Sequence, residues 1–267
     1  MHFFTLSIAL LLSLTAIAQA PTNGLVAYYP FNGNALDISG KNNNGIIYGT
    51  VNTVPGQSGA ANGALSFTDG SKIRVSNSNS LTFSTAFSYS TWIQLRSLAG
   101  RDGNTGLDGI TNYGVHTIFS KNCDKSWLYS MLLADPKVPG TLNFSGGTWD
   151  GGWLSSFFEY PVGTWMHLAV ACDERVLENY INGRLMASSL TKINFTPSNT
   201  TDLIIGGMDC WPYFINGELD EMRFYNRALT REEIQAMYVF EKAPVQSLKI
   251  GSWQDPTTWS CTCVPTS

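Results

Sequence analysis

Short runs in which apolar and polar residues alternate, each closed by Gly, Asn or Ser, recur along most of the chain. They cover residues 25–31, 64–67, 72–75, 87–95, 116–120, 127–133, 165–172, 176–181, 203–206 and 219–225. A period of two puts successive side chains on opposite faces of a β-strand, and the β-branched and aromatic content suits a pleated, half-buried surface. In AFSYSTWIQL, the residues Phe87, Tyr89, Thr91, Ile93 and Leu95 share one face, predicted to line an interior. Ser88, Ser90 and Trp92 share the other, which suits a partly open surface. Asn182-Gly183 lies between two such runs, and this pair takes the positive φ angles of a tight hairpin at little cost. So many short strands predict an all-β sandwich of two antiparallel sheets.

One helix interrupts this pattern, near the end of GELDEMRFYNRALTREEIQAMY. Thr230 and Glu233 have capping-box spacing, and Leu229 and Ile234 can close a hydrophobic staple across the same terminus. Glu232 and Glu233 therefore have a local reason to exist at the positive end of a helix.

The first residues, MHFFTLSIALLLSLTAIAQA, are apolar or small from Phe3 to Ile17 and read as a secretory leader, residues 1–18. The stretch is too short to span a bilayer. The chain is therefore expected to be secreted or held at the cell surface, without membrane insertion. About 225 residues remain for one folded unit, taken as 24–242. Residues 243–267 differ: a linker-like KAPVQSLK precedes a Trp- and Pro-rich segment read as the truncated start of a second module. A net charge of −4 argues against a nucleic-acid partner. Among five cysteines, Cys172 ends an apolar strand and is expected to pack as a small hydrophobe. Cys123 and Cys210 occupy loop-like contexts beside Asp and near Trp, and are paired here as a disulfide. Cys261 and Cys263 lack the partners of a zinc site.

Four stretches occur in order: GLVAYYPFNGNALDISGKNNNGIIYG, ALSFTDGSKIRV, TWMHLAVACDERVLENYINGRL and GELDEMRFYNRALTREEI. Together they resemble the laminin-G-like, concanavalin A-like jelly-roll domains of exported bacterial proteins. The resemblance spans roughly residues 24 to 240. It implies a two-sheet antiparallel jelly roll with adjacent first and last strands and a short C-terminal helix, serving as a non-catalytic module. The final GSWQDPTTWSCTCVP is similar to the opening of surface modules in bacterial adhesins.

Glucanases related to this fold carry a Glu-x-Asp-x-(x)-Glu strand, in which two carboxylates flank the scissile bond. Here Glu218 and Asp220 occur, but Met222 and Arg223 fill both possible third positions, so no catalytic residue is assigned. Glu218 and Glu221 are expected to face solvent or loops. His116 and His167 sit in apolar strands and read as packing residues. Alternation with Met222 and Phe224 aims Asp220 at the sandwich interior, where a carboxylate needs a cation or donors. The resemblance implies a structural calcium joining Asp220 to the loop after the first strand, through Asn32, Asn34, nearby carbonyls and Asp37, oxygen ligands of the kind calcium takes. Hydrogen bonds from loop amides satisfy the same carboxylate equally well. Trp149, Asp150 and Trp153 lie in a Gly-rich stretch read as a loop, and Trp211 and Tyr213 form a second rim. Sugar rings stack on such aromatic faces. These rings serve as loop cover with equal economy. Two functions stay open: a carbohydrate- or matrix-binding module, and a structural or protein-contact domain of an adhesin. A glycoside hydrolase stands third.

Overall fold

The computed structural model describes residues 19–68, 70–98, 114–121, 128–134, 137–148, 152–190, 195, 201–211, 213–242, 252, 254 and 255. The leader, Cys123, Trp149, Asp150, Cys261 and Cys263 lie outside them. In chain order the strands are β1 (Leu25–Tyr29), β2 (Gly45–Tyr48), β3 (Val51–Val54), β4 (Ala64–Phe67), β5 (Lys72–Val75), β6 (Phe87–Leu95), β7 (Val115–Lys121) and β8 (Leu128–Ala134). There follow β9 (Thr141–Thr148), β10 (Gly152–Glu159), β11 (Met166–Cys172), β12 (Val176–Ile181), β13 (Arg184–Leu190), β14 (Leu203–Ile205) and β15 (Gly217–Tyr225), then helix α1 (Arg231–Lys242).

One sheet runs β13-β12-β11-β6-β15-β4-β3, and the other runs β10-β9-β8-β7-β14-β5-β2, with every pairing antiparallel. The edge of β15 opposite β6 is shared. Its first half pairs with β4, and its second half with β1, so the first and last strands are neighbours. Phe87, Tyr89, Ile93 and Leu95 of β6 meet Leu132, Leu142 and Phe144 of the facing sheet in one core. Tyr89, Phe119 and Phe224 pack edge-on at its centre, with ring centroids 4.7 and 5.0 Å apart.

The opposite face of β6 is not open. Ser88, Ser90 and Trp92 are buried. Helix α1 covers this side, and Ile234 and Met237 pack on Ala169, Ala171, Tyr180 and Tyr225. The capping box forms: Glu233 N donates to Thr230 Oγ1 at 3.2 Å, and Thr230 N donates to Glu233 Oε2 at 2.9 Å. Asn182 and Gly183 take φ of 49° and 72°, closing the β12–β13 hairpin. The stretch around Trp149 and Trp153 is not one long loop. Residues on both sides of it pair as β9 and β10 in unbroken register from Thr141↔Glu159 to Thr148↔Gly152.

Candidate functional site

Strand β15 carries the acidic stretch that the sequence singles out, and a β-bulge reorders it. The pairing with β6 slips between Asp220 and Arg223, and Glu221 has φ of 51°, a left-handed value uncommon outside glycine. Leu219, Met222 and Phe224 reach the core between the sheets. The expectation that Asp220 shares their face therefore fails: the extra residue reverses the alternation. Asp220 is instead buried near Glu241 of α1. Its Oδ2 accepts Gln57 N at 2.9 Å. Burial, followed by the charge of Glu221, holds its carboxyl well above the ordinary range.

Its acidic neighbours are also consumed. Glu218 is buried rather than solvent-facing and pairs with Arg96, which also donates to Ser66 Oγ at 2.6 Å. Glu221 is buried too, and accepts Tyr28 OH at 2.6 Å and Arg223 Nη2 at 2.6 Å. Arg223 lies 3.8 Å over the Tyr28 ring and pairs with Glu241, to which Trp92 Nε1 donates at 2.7 Å. His167 lies beside this group, 3.7 Å from Glu241 Oε2, with neither ring nitrogen hydrogen-bonded. Its burial lowers its pKa to about 3, so it packs as a neutral ring. His116 differs, since Asn216 N donates to its Nδ1 at 3.3 Å and its Nε2 meets Leu98 O at 3.4 Å.

Two of the three expected calcium donors serve separate purposes. Asn34 is exposed, and its Oδ1 accepts Leu36 N at 2.9 Å, while its Nδ2 donates to Asn32 O at 3.2 Å. Asp220 is held by the loop that contains Gln57. Asp37 accepts three backbone amides, from Tyr28, Ser39 and Asn43, at 2.8–2.9 Å. No group of three or more His, Cys, Asp or Glu side chains is placed to hold a metal among the described residues. In this arrangement Asn34 Oδ1, both Asp37 carboxylate oxygens and Asp220 Oδ2 already accept backbone amides.

The second aromatic rim is well defined. Trp211 is 44% exposed, and its ring lies 6.3 Å from that of Tyr213 at an interplanar angle of 16°. Three ties hold this segment. Cys210 is disulfide-bonded, to a partner outside the described residues. Gly207 bridges Phe214, and Tyr213 N donates to Trp211 O at 2.8 Å. Asp209, one residue before Cys210, pairs with Lys72 and with Arg74 Nη2 at 2.6 Å. Arg74 also meets Asp202 at 3.1 Å and lies 5.8 Å over the exposed Tyr48 ring. Burial pushes the Asp209 carboxyl up, but Lys72 and Arg74 together bring it below the ordinary range. These framing residues escaped the sequence reading, although Lys72-Ile73-Arg74-Val75 does show a charged face opposite an apolar one. Trp153 stands in β10 opposite Gly147, and its side chain lies outside the described residues. Cys172 is buried and free, as expected of a packing residue.

Residues 67–235 match the Concanavalin A-like lectin/glucanases superfamily. None of the curated protein sequences matches this chain. Among solved structures, it is similar to domain 4 of AbnA, a GH43 extracellular arabinanase from Geobacillus stearothermophilus in complex with arabinotriose. That likeness has a TM-score of 0.61 and 24% identity, over 79% of this chain and 96% of the other. It is also similar to the receptor-binding domain of botulinum neurotoxin mosaic serotype C/D, with a TM-score of 0.59 and 18% identity, over 82% of this chain and 51% of that one. The binding domain of Paraclostridial Mosquitocidal Protein 1 matches with a TM-score of 0.56 and 19% identity, over 82% and 53%. The chain thus spans about half the length of these two toxin domains. At such identities the likeness speaks for the fold alone. With both sheets, the adjacent first and last strands and the matched span in agreement, the chain belongs to the concanavalin A-like lectin/glucanases superfamily.

Proposed function

We propose that this chain is a non-catalytic binding module of an exported protein and that it takes carbohydrate on the Trp211–Tyr213 rim. The observation that carries the reading is the nearly parallel pair of exposed Trp211 and half-buried Tyr213, on a segment tied by a disulfide and by Asp209. An indole presented this way offers an apolar face to the C–H side of a sugar ring, at little ordering cost. Asp209, two residues before Trp211, is linked through Arg74 to Asp202, and these groups keep hydrogen-bonding capacity for hydroxyls. By the sequence argument alone, Trp149, Asp150 and Trp153 are a further proposed aromatic face. Catalysis is not part of the proposal: Glu218 is engaged by Arg96, and Asp220 is buried beside Glu241 with Gln57 N as its partner, not set on an exposed surface. The apolar leader favours secretion or surface display.

The test is a glycan array, with wild type compared with Trp211→Ala and Tyr213→Ala. Loss of retention with an unchanged melting temperature is expected. Undiminished retention in both variants removes the rim from the site. A protein-contact role is the second reading, and it has its own observation. Edge strand β2 leaves Ile46, Ile47 and Tyr48 exposed, and among the described residues β5 is the one strand paired with it.

A further inference from the structure

Asp209, two residues before Trp211, ties the segment that carries the aromatic rim to a cluster of charged side chains. Lys72 and Arg74 project from β5, and both meet Asp209, while Arg74 also meets Asp202. The third cation nearby, Lys121, is buried. It donates to Asn77 Oδ1 at 2.7 Å and to Thr201 O at 2.6 Å, beneath the surface a ligand would reach. Each cation of this cluster is therefore already engaged by protein oxygen, and two carboxylates belong to the same cluster. An acidic sugar would have to displace Asp209 or Asp202 from its cation, or sit against like charge, and either costs binding energy. Hydroxyls face no such penalty. Paired carboxylates keep lone pairs that accept from O–H groups, and Arg74 keeps N–H groups that donate to them.

We propose that the Trp211–Tyr213 rim binds uncharged polysaccharides and rejects uronic-acid-containing and sulfated ones. This rests on the carbohydrate-binding reading of the same rim and adds the ligand's charge class to it.

The experiment is affinity electrophoresis of the full chain through gels containing neutral arabinan, xylan or β-glucan, and through gels containing polygalacturonate or heparin. Salt is varied from about 50 mM to about 500 mM, enough to screen exposed charges. At least one neutral polymer should retard the protein to the same extent at both salt levels. Trp211→Ala should weaken that retardation by about tenfold or more, as removal of a central aromatic anchor does. Asp209→Asn should release Lys72, leave Arg74 with Asp202 as its one carboxylate, and bring a new, salt-sensitive retardation by polygalacturonate or heparin. Wild-type retardation by the acidic polymers, lost in Trp211→Ala, overturns the charge assignment while leaving carbohydrate binding intact. No retardation by any polymer overturns the binding reading itself.

Discussion

The Trp92 indole donates to Glu241 Oε2 at 2.7 Å, and so joins the middle of β6 to the last turn of α1. Glu241 also pairs with Arg223, which pairs in turn with Glu221, so one guanidinium serves two buried carboxylates with a third, Asp220, nearby. Three buried anions around one cation are costly, and a proton is the cheaper remedy. Burial, opposed by Arg223 and reinforced by Glu221, pushes the Glu241 carboxyl up to about 8. Between its ordinary value and about 8 the folded chain holds this proton and the unfolded chain does not. Stability from this group therefore falls as pH rises through that interval. Asp220, raised mainly by burial, acts in the same sense. His167 and His116, lowered by burial to about 3 and about 4 from 6.5, act oppositely below pH 6.5. The uncompensated window is pH 6.5 to about 8, where Glu241 alone is worth about 2 kcal/mol. Urea midpoints of wild type should drop across it. Glu241→Gln keeps an acceptor for Trp92 without the titration, so its profile should be flatter; parallel profiles refute the assignment.

Gly56 abuts the same buried carboxylate. A Cβ there would lie 2.7 Å from Asp220 Oδ2 and 2.9 Å from Gly63 O. Neither obstacle yields easily, because Asp220 is held by Gln57 N and Gly63 O is backbone. Gly56→Ala should destabilise the chain by about 1–3 kcal/mol, the usual cost of overpacking. Chemical denaturation reads this directly, and an unchanged midpoint shows that the loop has room to shift.

Asp220 already has an amide partner in Gln57 N, which satisfies one of its oxygens without an ion. Thermal melts in excess calcium and in chelator should coincide. A calcium-dependent rise in melting temperature that disappears in Asp220→Asn would restore an ion at this carboxylate.

The cap of α1 gives a local prediction. Thr230→Ala removes the acceptor of Glu233 N and should cost about 1 kcal/mol. Glu233→Ala should cost more, since Glu233 accepts both Thr230 N and the paired nitrogens of Arg227 at 2.6 and 2.7 Å. A reversed order in denaturant midpoints would show that the Arg227 pair adds nothing.

What was legible in the sequence follows from what is local. Strands such as β6 and β11 alternate because one face is a core, and the Thr230–Glu233 box and the Asn182-Gly183 turn carry their chemistry within a few residues. Strand β2 was missed because its edge position exposes Ile46, Ile47 and Tyr48 on both faces, leaving no contrast to read. Strands β9 and β10 were missed because glycines at 146, 147, 151 and 152 imitate a loop. The acidic site was misread for a sharper reason. One extra residue, Glu221, inverts the phase of β15, and a one-residue slip moves each later side chain to the other face. Nor does anything near Glu241 announce its pairing with Trp92, 149 residues away.

Two ties hold the backbone just before the Trp211–Tyr213 platform, and they can be separated. The disulfide at Cys210 fixes the backbone next to Trp211, while Asp209 is fixed independently by Lys72 and Arg74. Cys210→Ser therefore should leave the core and the melting curve largely intact but let the aromatic pair sample other orientations. Re-ordering two side chains on binding costs about 1–3 kcal/mol, so affinity for a retained neutral glycan should fall by about fivefold or more. Calorimetric titration with and without reductant checks this in wild type as well as in the variant. If reduction leaves affinity unchanged, the salt bridges of Asp209 suffice to hold the platform, and the disulfide serves stability alone.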